Sequence, residues 1–301
     1  MWFKNLTLFR LTEPFTLTAE ELTEKLEELR FRPCGAHETN SAGWTTPIGN
    51  TQSLVHATNG YLMLCVKKQE RVLPTSVVNE MLMEKAAEEE EKQGRQISKK
   101  ERSRLKDELI FDLLPKAFTF SRKVFAYIDP KNGWVIVDAA STKNAEEFLS
   151  LLRKSLGSLP AVTVNTASNP VTIMTQWLVS QQLPADIAIE DECELRSPGE
   201  DASIIRCKRH DLTLPEIQNH LDSGKEVIKL AMNWSERLSF ILDKNLSIKR
   251  LRFLDLVQDQ LKDMDIEDEA SRFDADFAIM SEELGNFLPK MLDHFGGVIK
   301  L

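Results

Sequence analysis

The sequence predicts an α+β protein in which antiparallel sheets carry packed helices, with a protruding helical pair besides. Three observations predict it. Asn132-Gly133, within Asp-Pro-Lys-Asn-Gly, joins the apolar runs Phe118–Ile128 and Trp134–Ala139, a hairpin signal. Farther on, Glu226–Trp234, Leu238–Leu242 and Leu246–Phe253 are apolar runs parted by short polar turns, the pattern of a meander. Between Pro74 and Leu114, strand alternation gives way to Glu, Lys, Ala, Leu and Met, all good helix formers.

Taken in order, Trp2–Leu11 alternates apolar and polar residues and reads as a strand. Thr18-x-x-Glu21 is a capping box for a helix reaching about Leu29, closed by Pro33 and Gly35. A loop-rich stretch with Gly43, Pro47 and Gly49 leads to a buried strand at Tyr61–Leu73. The helical excursion divides near Gln93–Ile97, where Gly94 interrupts it and Ser98-Lys-Lys-Glu101 opens a second helix. Asn144–Leu156 places Ala145, Phe148, Leu149, Leu152 and Leu156 on one helical stripe, with Gly157 and Pro160 ending it. Residues 161–200 give a weaker pattern: a short helix at Val171–Val179 carrying Trp177, a linker-like Gln181–Ala185 and a turn at Ser197-Pro198-Gly199. Ser203–Lys208 reads as a strand, Thr213-x-x-Glu216 as the cap of a short helix, and Asp222-Ser-Gly224 as a turn. A long final helix carries Phe273, Phe277, Met280, Leu284, Phe287, Leu288, Met291 and Phe295 as a core stripe.

The 301 residues are 42% apolar, with a formal net charge of −9. No apolar run approaches the roughly 18 residues that span a bilayer, and the first residues lack a signal peptide's layout. The expectation is a cytoplasmic protein without a membrane partner. Cys34, Cys65, Cys193 and Cys207 form no CxxC pair and read as buried thiols.

Catalytic signatures are thin. Asp222-Ser-Gly-Lys225 lacks the first glycine of a phosphate loop, and Glu226 stands where that loop needs Ser or Thr. The histidines at 37, 56, 210, 220 and 294 make no HxxxH or HExxH pair, and there is no GxSxG elbow. We therefore expect no catalytic residues, no metal and no cofactor. Positive charge, by contrast, is concentrated. Residues 92–106 hold seven basic side chains and one acidic one, whereas 255–293 hold twelve acidic and three basic. Further basic clusters are Arg206-Cys-Lys208-Arg209-His210 and the meander's Lys225, Lys229, Lys249, Arg250 and Arg252. Alternation along a strand would set Arg206, Lys208 and His210 on one face, and a second such strand would make a basic sheet face. Such clusters are either ordinary solvated faces or a polyanion-binding surface, since the local field decides attraction. Few aromatics interleave with them, which suits duplex backbone contacts better than base stacking.

Several segments, in order over nearly the whole chain, resemble the recombination-associated RdgC family. They are MWFKNLTLFRLT, FRPCG, KKQERVLP, LKDEL with LLPKAF, LLRKSLGSLP, RCKRHDLT, GKEVIKLAMNW, SIKRLRF and RFDADFAIM. The resemblance implies a non-enzymatic, nucleoid-associated homodimer. Its basic ring would encircle double-stranded DNA, with single-stranded DNA as a further partner, and restrain RecA by competing for DNA. It implies a central α+β domain in two parts, 1–74 and 116–180, a helical tip at 75–115 and a base α+β domain at 181–301. Residue by residue, it places Lys116, Arg209, His210 and Lys225 toward DNA and Phe118 at the tip contact closing the dimer. At His210 the chain departs from the family pattern, which has glutamine. Lys208, Lys229, Lys249 and Arg250 are added from the basic strands. The alternatives kept open are a metal-dependent nuclease or phosphotransferase, and an interaction scaffold without DNA affinity.

Overall fold

The computed structural model describes residues 1–49, 52–199, 201–262 and 268–299. Strand β1 (Thr7–Leu11) is followed by helix α1 (Ala19–Glu27), where Thr18 and Glu21 form the expected reciprocal cap. Strands β2 (Asn40–Thr45), β3 (Val55–Thr58) and β4 (Tyr61–Val72) come next. Helices α2 (Thr75–Gln93) and α3 (Lys99–Leu113) form the excursion, and a single 3-10 turn (Leu114–Lys116) returns the chain to β5 (Phe118–Asp129). Gly94, at φ +62°, ends α2 in the left-handed region that glycine adopts without steric cost. Then follow β6 (Trp134–Val137), α4 (Thr142–Leu156), β7 (Ala161–Thr163) and α5 (Pro170–Ser180). The last part holds β8 (Ile187–Arg196), β9 (Ile204–Lys208), α6 (Pro215–Asp222), β10 (Glu226–Trp234), β11 (Leu238–Asp243), β12 (Ile248–Phe253), α7 (Asp255–Lys262) and α8 (Glu269–Asp293).

The strands make two sheets, and every strand pair in them is antiparallel. The larger runs β2-β4-β5-β6-β1-β7 with β3 also on β4; the smaller runs β12-β11-β10-β8-β9. One face of the larger sheet buries Leu64, Val66, Val135 and Val137 against Leu22 and Leu26 of α1 and Phe148, Leu149 and Leu152 of α4. Its other face shares a single core with the smaller sheet. There Tyr127 and Ile136 meet Phe277, Met280, Leu284 and Phe287 of α8, which in turn meet Leu230, Met232, Trp234 and Phe240. The stripe on α8 is therefore the packing that joins the sheets. The helical pair has its own small core of Val78, Leu82 and Leu109.

Three expectations are corrected. Trp2–Leu11 is not one strand: Leu6 exchanges backbone hydrogen bonds with Ile248 on the smaller sheet, and only from Thr7 does the chain pair in the larger one. Thr213 does not cap α6. Pro215 takes the first helical turn, Leu214 is the N-cap without a side-chain bond, and the Thr213 hydroxyl donates to Asp211 instead. His210 does not continue the face of Arg206 and Lys208. Arg209 turns the chain through the left-handed region (φ +52°), and β9 ends at Lys208.

Candidate nucleic-acid interface

The outer face of the smaller sheet carries six cations. Arg206 and Lys208 project from β9, Lys229 from β10, and Lys249, Arg250 and Arg252 from β12. A bulge makes the last three possible. Ser239 pairs with Arg252 and Ile241 with Lys249, so two residues of β12 oppose Phe240. With Arg250 at φ +51°, Lys249 and Arg250 both reach the outer surface while Leu251 turns into the core.

The second basic strand that would make a basic sheet face does not lie beside β9. β8 lies between β9 and β10 and presents Glu190, Glu192 and Glu194 at alternate positions. Arg206 and Lys229 meet Glu194 at 2.9 and 3.0 Å, and Arg250 and Lys208 meet Glu192 at 2.7 and 3.9 Å. Lys249 meets Asp243 at 2.8 Å, and Arg252 lies 4.0 Å from Glu190. Burial alone would raise the Glu194 carboxyl, but Arg206 and Lys229 outweigh it and hold it below its usual range. The face is an interlocked lattice with an excess of positive charge, not a bare basic surface. A phosphate arriving here must compete with carboxylates that already hold the cations.

Other predicted residues stand clear of that lattice. Among the described residues, Lys116, Arg209 and Lys225 have no carboxylate within 4 Å. Arg209 is exposed, and Lys225 Nζ reaches only the Ser223 hydroxyl, at 3.5 Å. His210 Nε2 lies 3.1 Å from Glu216, so the imidazole is bound to α6. The fold does not bring all of these together. The His210 N–H donates to Asp191 in the middle of β8, whereas Lys225 precedes the Glu226–Arg196 pair at its C-terminal end, roughly 17 Å along the strand at about 3.3 Å per residue.

Lys116 and Phe118 lie beyond the larger sheet's core. The first half of β5 is exposed on both faces and the second half is buried. Phe118 is 87% exposed and Phe120 59%. Phe118 pairs with Val72 and Phe120 with Glu70, so Phe118, Phe120 and Val72 share one face of a protruding ribbon. Phe120 was missed in the sequence, although its spacing from Phe118 was the available signal. Lys67 and Lys123 were missed as well. They stand directly opposite each other on β4 and β5, with Lys67 Nζ 4.6 Å from the centroid of the Phe31 ring. Like charges so placed repel unless an anion lies between or above them.

In the basic run 92–106, Lys92 pairs with Glu89, Arg95 with Glu101 and Arg104 with Glu108. Lys99, Lys100, Arg102 and Lys106 have no such partner among the described residues. Part of this run's charge is therefore spent within the helical pair itself.

A family model described as "Putative exonuclease, RdgC" matches residues 1–298. The chain belongs to the RdgC family. Proteins named recombination-associated protein RdgC from Aeromonas hydrophila, Tolumonas auensis and Yersinia pestis are 47%, 46% and 43% identical to it. The matches cover 99% of this chain and 98%, 99% and 98% of those proteins. The descriptions of the RdgC family thus point in two directions, a nuclease and a recombination-associated protein. Metal-dependent hydrolysis uses convergent carboxylates around its ions. Here, among the described residues, no three His, Cys, Asp or Glu side chains gather in that way, and Glu192, Glu194 and Asp243 are engaged by cations. No helix is long and apolar enough to cross a membrane, among the described residues.

Proposed function

We propose that this RdgC-family chain binds duplex DNA without sequence preference and without a catalytic step. Two copies close a ring around the duplex, and occupancy restrains RecA-mediated recombination by withholding DNA. The protein works in the cytoplasm, on the nucleoid. The observation that carries this reading is the protruding β4–β5 ribbon, where the exposed face of Phe118, Phe120 and Val72 lies two residues from the unpaired Lys116. An apolar contact surface and a free cation at one spot suit a contact that both closes a dimer and admits a polyanion. Large exposed aromatics gathered on one face mark an interaction site rather than ordinary surface. The relatives' name, recombination-associated protein, agrees with such a role.

Phosphate contact by lysine and arginine releases counterions, so affinity falls steeply with salt. Anisotropy of a labelled duplex, titrated from about 50 to 200 mM salt, tests this. The expected plot of log affinity against log salt is linear with a slope near −0.9 per phosphate neutralised. A flat response, or no binding at the lowest salt, would support the scaffold alternative. Incubating the same duplex with Mg²⁺ or Mn²⁺ separates the nuclease alternative, since cleavage would show a catalytic step.

A further inference from the structure

Cys193 on β8 and Cys207 on β9 stand directly opposite each other in the smaller sheet. The ladder's phase follows from the Ser197 N–H, which donates to the Ser203 carbonyl. Counting in twos from that pair, 195 with 205 and 193 with 207 are the pairs that exchange backbone hydrogen bonds. Such partners hold their Cα atoms roughly 5.5 Å apart, inside the roughly 4.4–6.8 Å that a disulfide spans. Both side chains turn toward the core, Cys193 buried and Cys207 half-buried. The other two cysteines are placed differently. The Cys34 thiol donates to the Gln69 carbonyl at 3.3 Å, and Cys65 is buried opposite Thr45 and Phe125.

We infer that Cys193 and Cys207 form a reversible disulfide on exposure to a hydroperoxide, fixing the edge strand β9 covalently to β8. The more accessible Cys207 reacts first. Its sulfur attacks one oxygen of hydrogen peroxide, the O–O bond breaks, and a sulfenic acid and one water result. The Cys193 sulfur then attacks the Cys207 sulfur, the S–O bond breaks, and a second water leaves with the Cys193 proton. Each sulfur loses one electron and each peroxide oxygen gains one, so the step balances. A thiol reductant reverses it by exchange. Burial and the adjacent Cys207 push the Cys193 thiol up to about 12, which leaves first attack to its partner. The consequence is mechanical. β9 pairs on one side only, and Arg206 and Lys208 flank Cys207 on the opposite face, so the bond pins both cations to the sheet.

The inference stands apart from DNA binding and is tested without DNA. The full-length protein is treated with hydrogen peroxide, its free thiols are alkylated, and unreduced peptides are mapped by mass spectrometry. The expected product is a peptide linking Cys193 to Cys207 that dithiothreitol releases, with Cys34 and Cys65 still reduced. Hydrogen exchange over 204–208 should slow by about tenfold or more in the oxidised protein. Cys207→Ser should abolish the link. Because the wild-type map decides, a poorly folding variant would not obscure the result. Oxidation of Cys207 to a sulfinic acid with Cys193 left reduced, pairing with another cysteine, or unchanged exchange in β9 would overturn it.

Discussion

At the scale of single residues, the cations fall into two groups with different expected behaviour. Arg209 and Lys225 are unpaired, so on the proposed function replacing either with alanine should remove a phosphate contact and little else. Each variant should weaken duplex binding for all sequences alike and reduce the salt slope by about one. Arg250 is held by Glu192 at 2.7 Å, and Arg250→Ala leaves that carboxylate with only Lys208, 3.9 Å away, as well as removing a cation. Its loss should therefore weaken binding more than Arg209→Ala does, as anisotropy on two unrelated duplexes would show. Equal effects would mean that the carboxylate lattice plays no part. Gly43 illustrates a purely structural constraint. A Cβ there would lie 2.6 Å from the backbone of Phe31 and 2.7 Å from the Leu29 carbonyl. Gly43→Ala should cost about 3 kcal/mol by overpacking, read as a lower denaturant midpoint with unchanged m-value.

At the scale of elements, α3 depends on its first turn. Glu101 accepts from the Ser98 N–H at 2.7 Å and from Arg95 at 2.6 Å, while the Ser98 hydroxyl accepts from the Glu101 N–H. Arg95 first, then the Ser98 backbone, holds the Glu101 carboxyl well below its ordinary 4.5. A carboxyl depressed in the folded state contributes fully above its unfolded value, and the contribution fades as pH falls below that value. Protection of the α3 amides should therefore decline progressively below about pH 4.5, and Ser98→Ala should cost about 1 kcal/mol at neutral pH. Protection factors from hydrogen exchange check both.

Such caps are local signals, which is why α1, α3 and the Asn132-Gly133 hairpin were legible in the sequence. Strands β2, β3, β7 and β8 were not. In β8 the acidic residues at 190, 192 and 194 hide the alternation, because their stabilising partners are cations on other strands. β2, Asn40–Thr45, is polar except for Ala42 and Trp44 and becomes a strand by pairing with β4. The site was legible only in part. Basic composition marked Arg206 and Lys208, but the left-handed turn at Arg209 and the bulge at Arg250 are backbone features that no periodicity reveals. Nor does the alternation of Phe118 and Phe120 tell a buried strand from one that leaves its sheet's core.

At the scale of the whole molecule, α8 joins two sheets through one core, while the α2–α3 pair and the first half of β5 stand outside it. That arrangement leaves the apolar face of Phe118, Phe120 and Val72 exposed beyond the shared core. Phe118→Ala should weaken dimer association without unfolding the chain, because an 87% exposed side chain contributes little to the monomer core. Analytical ultracentrifugation would read the dimer and circular dichroism the fold. An unchanged dimer would assign the contact elsewhere.

Closure of a dimer around duplex DNA is best tested by retention on circular against linear plasmid. After loading at low salt and washing at high salt, phosphate contacts are screened and only topology holds the protein. The protein should stay on covalently closed circles and be lost from the same plasmid once linearised, with Phe118→Ala lost from both. Equal loss from circles and linear DNA would contradict it.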